Sequence, residues 1–199
     1  MFNPDQISSA LSQVRYDPDT FAPTISHAAV AMIVAEGADG LDVCFIRRAE
    51  RQSDPWSGHV SFPGGRAEVG DRTAYEVAER ETREEIGLSL NASHRIGTLP
   101  MMQKIRRGLT LFSFVYFAEH SMRTQAVVGN PEEVACVFWV PLRHLFDPLA
   151  VTEVEYSHEG NQKDLPGIRF DDHVIWGLTL QLLHSFARLM HQPFPACES

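Results

Sequence analysis

Apolar residues at Ile7, Leu11 and Val14 recur at helical spacing and predict a short amphipathic helix within residues 5–14, followed by a Pro-containing loop. The pattern then changes period. Residues 27–36 (HAAVAMIVAE) are almost continuously apolar, stop at Gly37 and turn at Asp39-Gly40, so they predict a strand. Residues 41–48 (LDVCFIRR), rich in β-branched and aromatic side chains, predict a second strand, and the two are expected to pair as a hairpin. Strands are also predicted over residues 94–100, 109–119 and 134–140, the first two separated by MMQKIRRG. Residues 148–172 carry Pro148, Gly160, Pro166 and Gly167 and read as a polar, loop-rich excursion. Helical spacing returns over residues 174–190, where Ile175, Leu178, Leu182, Leu183, Phe186 and Leu189 fall mostly on one face. A closing helix packed on a sheet is expected there.

One stretch uses its pattern differently. Residues 61–88, SFPGGRAEVGDRTAYEVAERETREEIGL, pass from a Phe-Pro-Gly-Gly turn through a loop into a helical run that stops at Gly87. At 100° per residue, Ala74, Val77 and Ala78 share the face to be buried, and Glu81, Glu84 and Glu85 fall on that same face. Glu76, Glu79, Arg80 and Arg83 point the other way. Ion pairs such as Glu79–Arg83 and Arg80–Glu84 account for a solvated face. They do not account for three acids on the apolar stripe, which would repel one another and resist desolvation unless a cation sat among them. Carboxylate oxygens select hard divalent ions, so Mg²⁺ or Mn²⁺ is the expected cofactor.

Composition changes the picture little. The 199 residues suit one domain with modest additions, expected as an extension over 1–26, a domain over 27–191 and a tail over 192–199. The net charge of −9 excludes a general electrostatic footprint for nucleic acid, so an anionic substrate would need local basic residues and a metal. Cys44, Cys136 and Cys197 are scattered without ligand spacing; the first two read as small buried hydrophobes and the third belongs to a polar tail. The N-terminal residues show no basic start followed by an apolar core, and no apolar run reaches bilayer length; cytoplasm is therefore the default compartment and no membrane is involved.

Basic side chains recur near the Gly-rich turn. Arg47 and Arg48 leave the second strand together, and although one such arginine is commonly a solvated strand end, at least one of the pair is expected to reach a phosphate. Lys104, Arg106 and Arg107 form a basic connection, read either as an exposed turn or as an attractor of substrate phosphates. Trp56 is either a stacking lid or a cap over the core, and His59 is given no catalytic role. The Asn130-Pro131-Glu132-Glu133 turn supplies one more candidate carboxylate.

Residues 65–88 resemble the Nudix box, G-x5-E-x7-R-E-U-x-E-E-x-G-U with U aliphatic. Gly65 matches the opening glycine, Arg80-Glu81 and Glu84-Glu85 the central pairs, and Gly87-Leu88 the end. Asp71 stands for the first glutamate, Thr82 for an aliphatic residue, and eight residues rather than seven separate Asp71 from Arg80. Across roughly residues 27–190 the chain is similar to the coenzyme A pyrophosphatase-like branch, through SFPGG, NPEEVACVFWVPL and HVIWGLTLQLL. It departs from that branch upstream: in FIRRAERQSDPWSGHVSFPGG, Arg48-Ala49 and Gly58 align but Arg51 follows too soon.

The resemblance implies an α/β/α sandwich, with a mixed sheet between the box helix and the C-terminal helix. It implies hydrolysis of a nucleoside diphosphate linked to another group, either coenzyme A or a derivative, or ADP-ribose or another such diphosphate. Glu81, Glu84, Glu85 and the Gly64 carbonyl would hold the metal, and Glu84, Glu81 or Glu133 would be the general base. Arg80 would orient an acid, Asp71 or Glu84, while Arg47, Arg48, Gly65 and Arg106 would meet the substrate. A binding module that has lost catalysis is the reading from another class, disfavoured by the intact Arg80-Glu81 and Glu84-Glu85 pairs. A homodimer rests on family analogy alone.

Overall fold

A computed structural model describes residues 2–51, 56–105, 108–158 and 161–196. Strands β1 (His27–Gly37) and β2 (Gly40–Arg48) form the expected hairpin, paired from Gly37↔Gly40 to Val34↔Val43. Beyond that point they splay apart. The opening is filled by β3 (Val60–Ser61), which pairs with β2, and β4 (Gly64–Arg66), which pairs with β1. The Phe-Pro-Gly-Gly segment therefore lies inside the sheet, and the Ala31 N–H donates to the Pro63 carbonyl at 2.8 Å.

The other edge of β1 pairs in parallel with β6 (Leu109–Ala118), which pairs antiparallel with β5 (Arg95–Ile105). With β7 (Val134–Pro141) on β2, this makes a mixed 7-stranded sheet. β5 runs on through the segment expected to be a connection. As an edge strand it accommodates Pro100, which cannot donate, and its register with β6 is irregular from Leu99 to Ile105.

The sheet is buried on both faces, and alternation along the strands divides the core in two. From β1, Ala28, Met32 and Val34 face one core; Ala29, Ala31, Ile33 and Ala35 face the other. The alanine-rich face receives helix α2 (Ala74–Ile86) through Ala74, Val77, Ala78 and Ile86. The opposite face is covered by α1 (Pro4–Leu11) and the last helix, Gly177–Leu189, through Ile7, Leu11, Leu182, Leu183 and Phe186. This is an α/β/α sandwich. Ile7 and Leu11 are fully buried in the same core as the last helix, and a Cβ on Gly97 would come within 2.4 Å of Leu11.

Residues 148–172 differ from the expectation of a loop. β8 (Val151–His158), β9 (Asn161–Phe170) and β10 (His173–Trp176) form a second, antiparallel sheet. Thr152, Val154 and Tyr156 alternate with the exposed Glu153 and Glu155, a strand period that the flanking prolines and glycines obscure. The final helix consequently starts at Gly177 and not at residue 174. A short helix, α3 (His120–Arg123), precedes β7, so the last helix is α4.

Candidate active site

Helix α2 is tied at both ends. Thr73 caps its N-terminus by accepting from the Glu76 N–H at 3.2 Å, and the Ala74 N–H donates to the Tyr16 hydroxyl at 3.0 Å. Gly87 (φ 70°) closes the C-terminus in the left-handed conformation. Thr82 is fully buried where the box calls for an aliphatic residue, and its hydroxyl is satisfied by donating to the Ala78 carbonyl at 2.6 Å.

The helix delivers Glu81 and Glu85 toward the Gly-rich segment. The Glu85 carboxylate is almost completely buried and accepts the Gly64 N–H at 2.8 Å, while Arg48 Nη1 stands 3.9 Å from its other oxygen. The Glu81 carboxylate packs on Gly65 so closely that a Cβ there would lie 2.5 Å away. Glu133 joins them from the turn before β7, where its N–H donates to the Asn130 carbonyl at 3.0 Å. A register shift between Arg47 and Arg48, opposite Cys136 and Val134, brings this turn against the end of β2. Glu81, Glu85 and Glu133 each offer an oxygen, and these lie within 4.8 Å of one another.

Arg80 organises the flank. It donates to both Asp71 oxygens at 3.2 and 3.0 Å, to Glu81 at 3.0 Å, to Glu84 at 3.1 Å and to the Arg66 carbonyl at 3.0 Å. Burial works against its charge, but the Asp71 hydrogen bond and the neighbouring carboxylates hold its pKa above the ordinary arginine value. Asp71 also accepts the Glu68 N–H at 2.8 Å, so the extra residue before the helix leaves it anchoring Arg80. Glu84, one helical step from Glu85, comes out at the exposed edge and bonds Arg80; it is not among the three clustered acids.

The family model described as the NUDIX domain matches residues 25–159. The chain belongs to the Nudix family. Among its relatives, an Arabidopsis thaliana protein named Nudix hydrolase 15, mitochondrial, is 30% identical over 204 residues, covering 94% of this chain and 66% of its own length. The human mitochondrial coenzyme A diphosphatase NUDT8 is 28% identical over 174 residues, covering 87% of this chain and 70% of its own. A MutT/nudix family protein from Enterococcus faecalis shares the fold at a TM-score of 0.59 and 17% identity, covering 93% of this chain and 69% of that one. Among the described residues no helix is long and apolar enough to cross a membrane.

Nudix hydrolases use divalent cations, and the clustered acids fit one: like charges gathered around the buried Glu85 need a positive partner. Burial pushes the Glu85 carboxyl up to about 8, reinforced by Glu81 and Glu133 and opposed by the Gly64 N–H and Arg48. Burial also raises Glu81, with Arg80 pulling the other way. Both groups have folded pKa values above their ordinary 4.5, so their contribution to stability is full below that value and is lost as pH rises through the folded value, about 8 for Glu85. Thermal melts with EDTA should therefore show the midpoint falling between about pH 5 and pH 9, and added Mg²⁺ or Mn²⁺ should restore it most at the alkaline end. A flat metal-free profile would remove the strain from the account.

The acids line a cleft of about 570 Å³ that also takes in Gly64, Gly65 and Arg48. Arg48 is half-buried in it; Arg47, next along the strand, is exposed and does not line it. Arg106 and Arg107 lie outside the described residues. His59 and Trp56 line the cleft, the latter with the Arg66 guanidinium 6.0 Å from its ring. Tyr156, Leu165 and Trp176 line it as well, from the second sheet.

Proposed function

We propose that this protein hydrolyses the diphosphate linkage of coenzyme A or a coenzyme A derivative, giving 3′,5′-ADP and 4′-phosphopantetheine. The observation that carries the chemistry is the convergence of Glu81, Glu85 and Glu133 in the cleft with Arg48 beside them. The substrate reading is supported by the stretches NPEEVACVFWVPL and HVIWGLTLQLL and by the relative named a coenzyme A diphosphatase.

Glu81 and Glu85 would hold Mg²⁺ or Mn²⁺, with the Gly64 carbonyl as a further oxygen donor and Glu133 beside them. A bound ion of this kind neutralises diphosphate charge and lowers the pKa of water. Glu85 is pinned by the Gly64 N–H, and Glu81 is wedged against Gly65 and held by Arg80, so neither is free to move with a proton. Glu133 sits on a turn with a side chain 39% exposed, and is our choice for the general base. Water oxygen attacks one phosphorus, the bridging P–O bond breaks toward the other phosphate, and Glu133 accepts the water proton. Arg48 supplies a positive charge to the diphosphate from the cleft wall. Arg80 and the exposed Glu84 set the position of Glu81.

A second reading, ADP-ribose or another nucleoside diphosphate derivative, is favoured by the altered signature between Arg48 and Gly58. Arg51, which follows too soon for the coenzyme A pattern, stands 3.7 Å from Glu133. The test is a hydrolysis panel of coenzyme A, ADP-ribose, NADH, diadenosine polyphosphates and nucleoside triphosphates, with Mg²⁺ or Mn²⁺ and with EDTA. Metal-dependent release of the two coenzyme A products is expected. Preference for ADP-ribose would keep the mechanism and move the substrate; no turnover at all would favour a binding module.

A further inference from the structure

The last carbonyl groups of a helix have no partner within it. In α2 the Arg83 carbonyl accepts the Gly87 N–H at 3.0 Å, as a left-handed glycine cap provides. Two others are served from a distant segment that follows β6 and α3. The Ile86 carbonyl accepts the Val127 N–H at 3.1 Å, and the Glu85 carbonyl accepts the Gly129 N–H at 2.9 Å. The approach is very close: a Cβ on Gly129 would lie 2.7 Å from the Glu84 carbonyl oxygen and 3.2 Å from the Gly87 nitrogen. Main chain meets main chain there, and a glycine is what allows it.

The segment is fixed on both sides of this contact. Before it, Arg123 of α3 donates to the Asp42 carboxylate of β2 at 2.6 Å and stands 5.4 Å from the Trp139 ring of β7. After it, the Asn130 carbonyl accepts the Glu133 and Val134 N–H groups at 3.0 and 2.9 Å, and Asn130 Oδ1 accepts the Glu132 N–H at 3.2 Å. The Glu133 carbonyl in turn accepts the Ala49 N–H at 2.8 Å, just past the end of β2. Glu85 thus enters the acid cluster through its carboxylate and grips the chain that delivers Glu133 through its carbonyl.

Burial of side chains does little to hold this segment against the helix, because Val127 and Val128 remain 59% and 37% exposed. The two amide hydrogen bonds and the close contact at Gly129 do the holding. The residues that fasten α2 to the sheet, Ala74, Val77, Ala78 and Ile86, are a separate set. Loosening the contact should therefore move the turn that carries Glu133 and leave the helix in place.

Resting on Glu133 as the general base, the reading given under Proposed function, we propose that residues 127–129 are a backbone strap that registers Glu133 against the last turn of α2. Gly129 is then a positioning residue that acts through Glu133. Two variants test it, each made with Glu133 present and with Glu133→Gln. Gly129→Ala forces the strap off the helix. One glycine inserted between Gly129 and Asn130 keeps both amide bonds, adds no side chain and slackens only the route to Glu133, at little cost in loop closure. Rates are taken on coenzyme A with Mg²⁺, or on ADP-ribose if the hydrolysis panel selects it. With Glu133 present, each variant should lower kcat by about 10- to 100-fold, with KM held within about twofold. In the Glu133→Gln background the same changes should alter kcat by less than about twofold, which a general loss of structure would not do. If Gly129→Ala does not fold, the insertion carries the same comparison. Wild-type kcat in the folded variants, or equal losses with and without the Glu133 carboxylate, would overturn the strap and leave the base reading standing. Glu133→Gln turning over at the wild-type rate, or a wild type that cuts neither substrate, would instead remove the base reading, and the strap's role with it.

Discussion

Glu85→Gln is expected to lower metal-dependent turnover by about 10³-fold, within the range of a lost acid, base or charge-stabilising group at an active site. The same change should raise the thermal stability of the metal-free protein at alkaline pH. The opposite signs come from one cause. The Glu85 carboxylate is buried among Glu81 and Glu133, with burial the largest influence on its titration, and its compensation within the chain is the Gly64 N–H and an Arg48 contact of 3.9 Å. Glutamine keeps a carbonyl oxygen for the Gly64 N–H and removes the charge. The gain should be on the order of 1–3 kcal/mol above about pH 8, or roughly 3–8 °C in a chain of this size, and should vanish at low pH where the carboxyl is already neutral. Circular-dichroism melts at several pH values, paired with rates, check both halves. Retained turnover would dismiss Glu85 from the site; a variant less stable than wild type at every pH would mean that the carboxylate contributes to the fold and is not strained for function.

The part of this site that could be read in the sequence is the part built on one helix. Glu81 and Glu85 declare themselves because helical periodicity places both on the apolar stripe, and regular geometry carries directly into space. Glu84 shows the limit of that argument. Periodicity sets its direction around the axis but not where the sheet beneath ends, so an acid expected inside emerges at an exposed edge on Arg80. Glu133 approaches over a register shift between β2 and β7, and nothing local in Asn130-Pro131-Glu132-Glu133 distinguishes it from an ordinary turn. Arg47 and Arg48 could not be told apart for a similar reason: strand alternation gives them opposite sides but does not say which faces the cleft.

Sheet topology was hidden more deeply. The β1–β2 hairpin follows from apolar runs around Asp39-Gly40, whereas the fork that admits residues 60–66 depends on pairings remote in sequence. The same holds for the N-terminal helix. Ile7, Leu11 and Val14 reveal its amphipathic face, but only the folded chain shows Leu11 against Gly97 and Tyr16 holding the first turn of α2.

The two adjacent glycines should fail in opposite ways when changed to alanine. At Gly64 the added Cβ would lie 2.3 Å from the Ala29 carbonyl oxygen and 2.6 Å from the Val30 Cα, and the backbone φ is +145°, where L side chains are strained. The obstruction is main chain in the central strand and cannot turn aside. Backbone strain of about 1–3 kcal/mol and overpacking of similar size predict a loss of about 3–5 kcal/mol, enough to lower the midpoint by roughly 10 °C or prevent folding. At Gly65 no such strain arises, and the Cβ instead meets the Glu81 carboxylate at 2.5 Å. A side-chain end can move, so Gly65→Ala should fold with a stability loss within about 1 kcal/mol, yet lose about 10²-fold in turnover because Glu81 no longer stands beside Glu85 and Glu133. Melting curves and metal-dependent rates on the two variants separate the roles: Gly64 lets the box enter the sheet, and Gly65 leaves the space in which Glu81 meets the other two acids. A Gly65→Ala enzyme of normal activity would show that Glu81 works from a different position, and a Gly64→Ala protein of normal stability would contradict the close approach between β4 and β1.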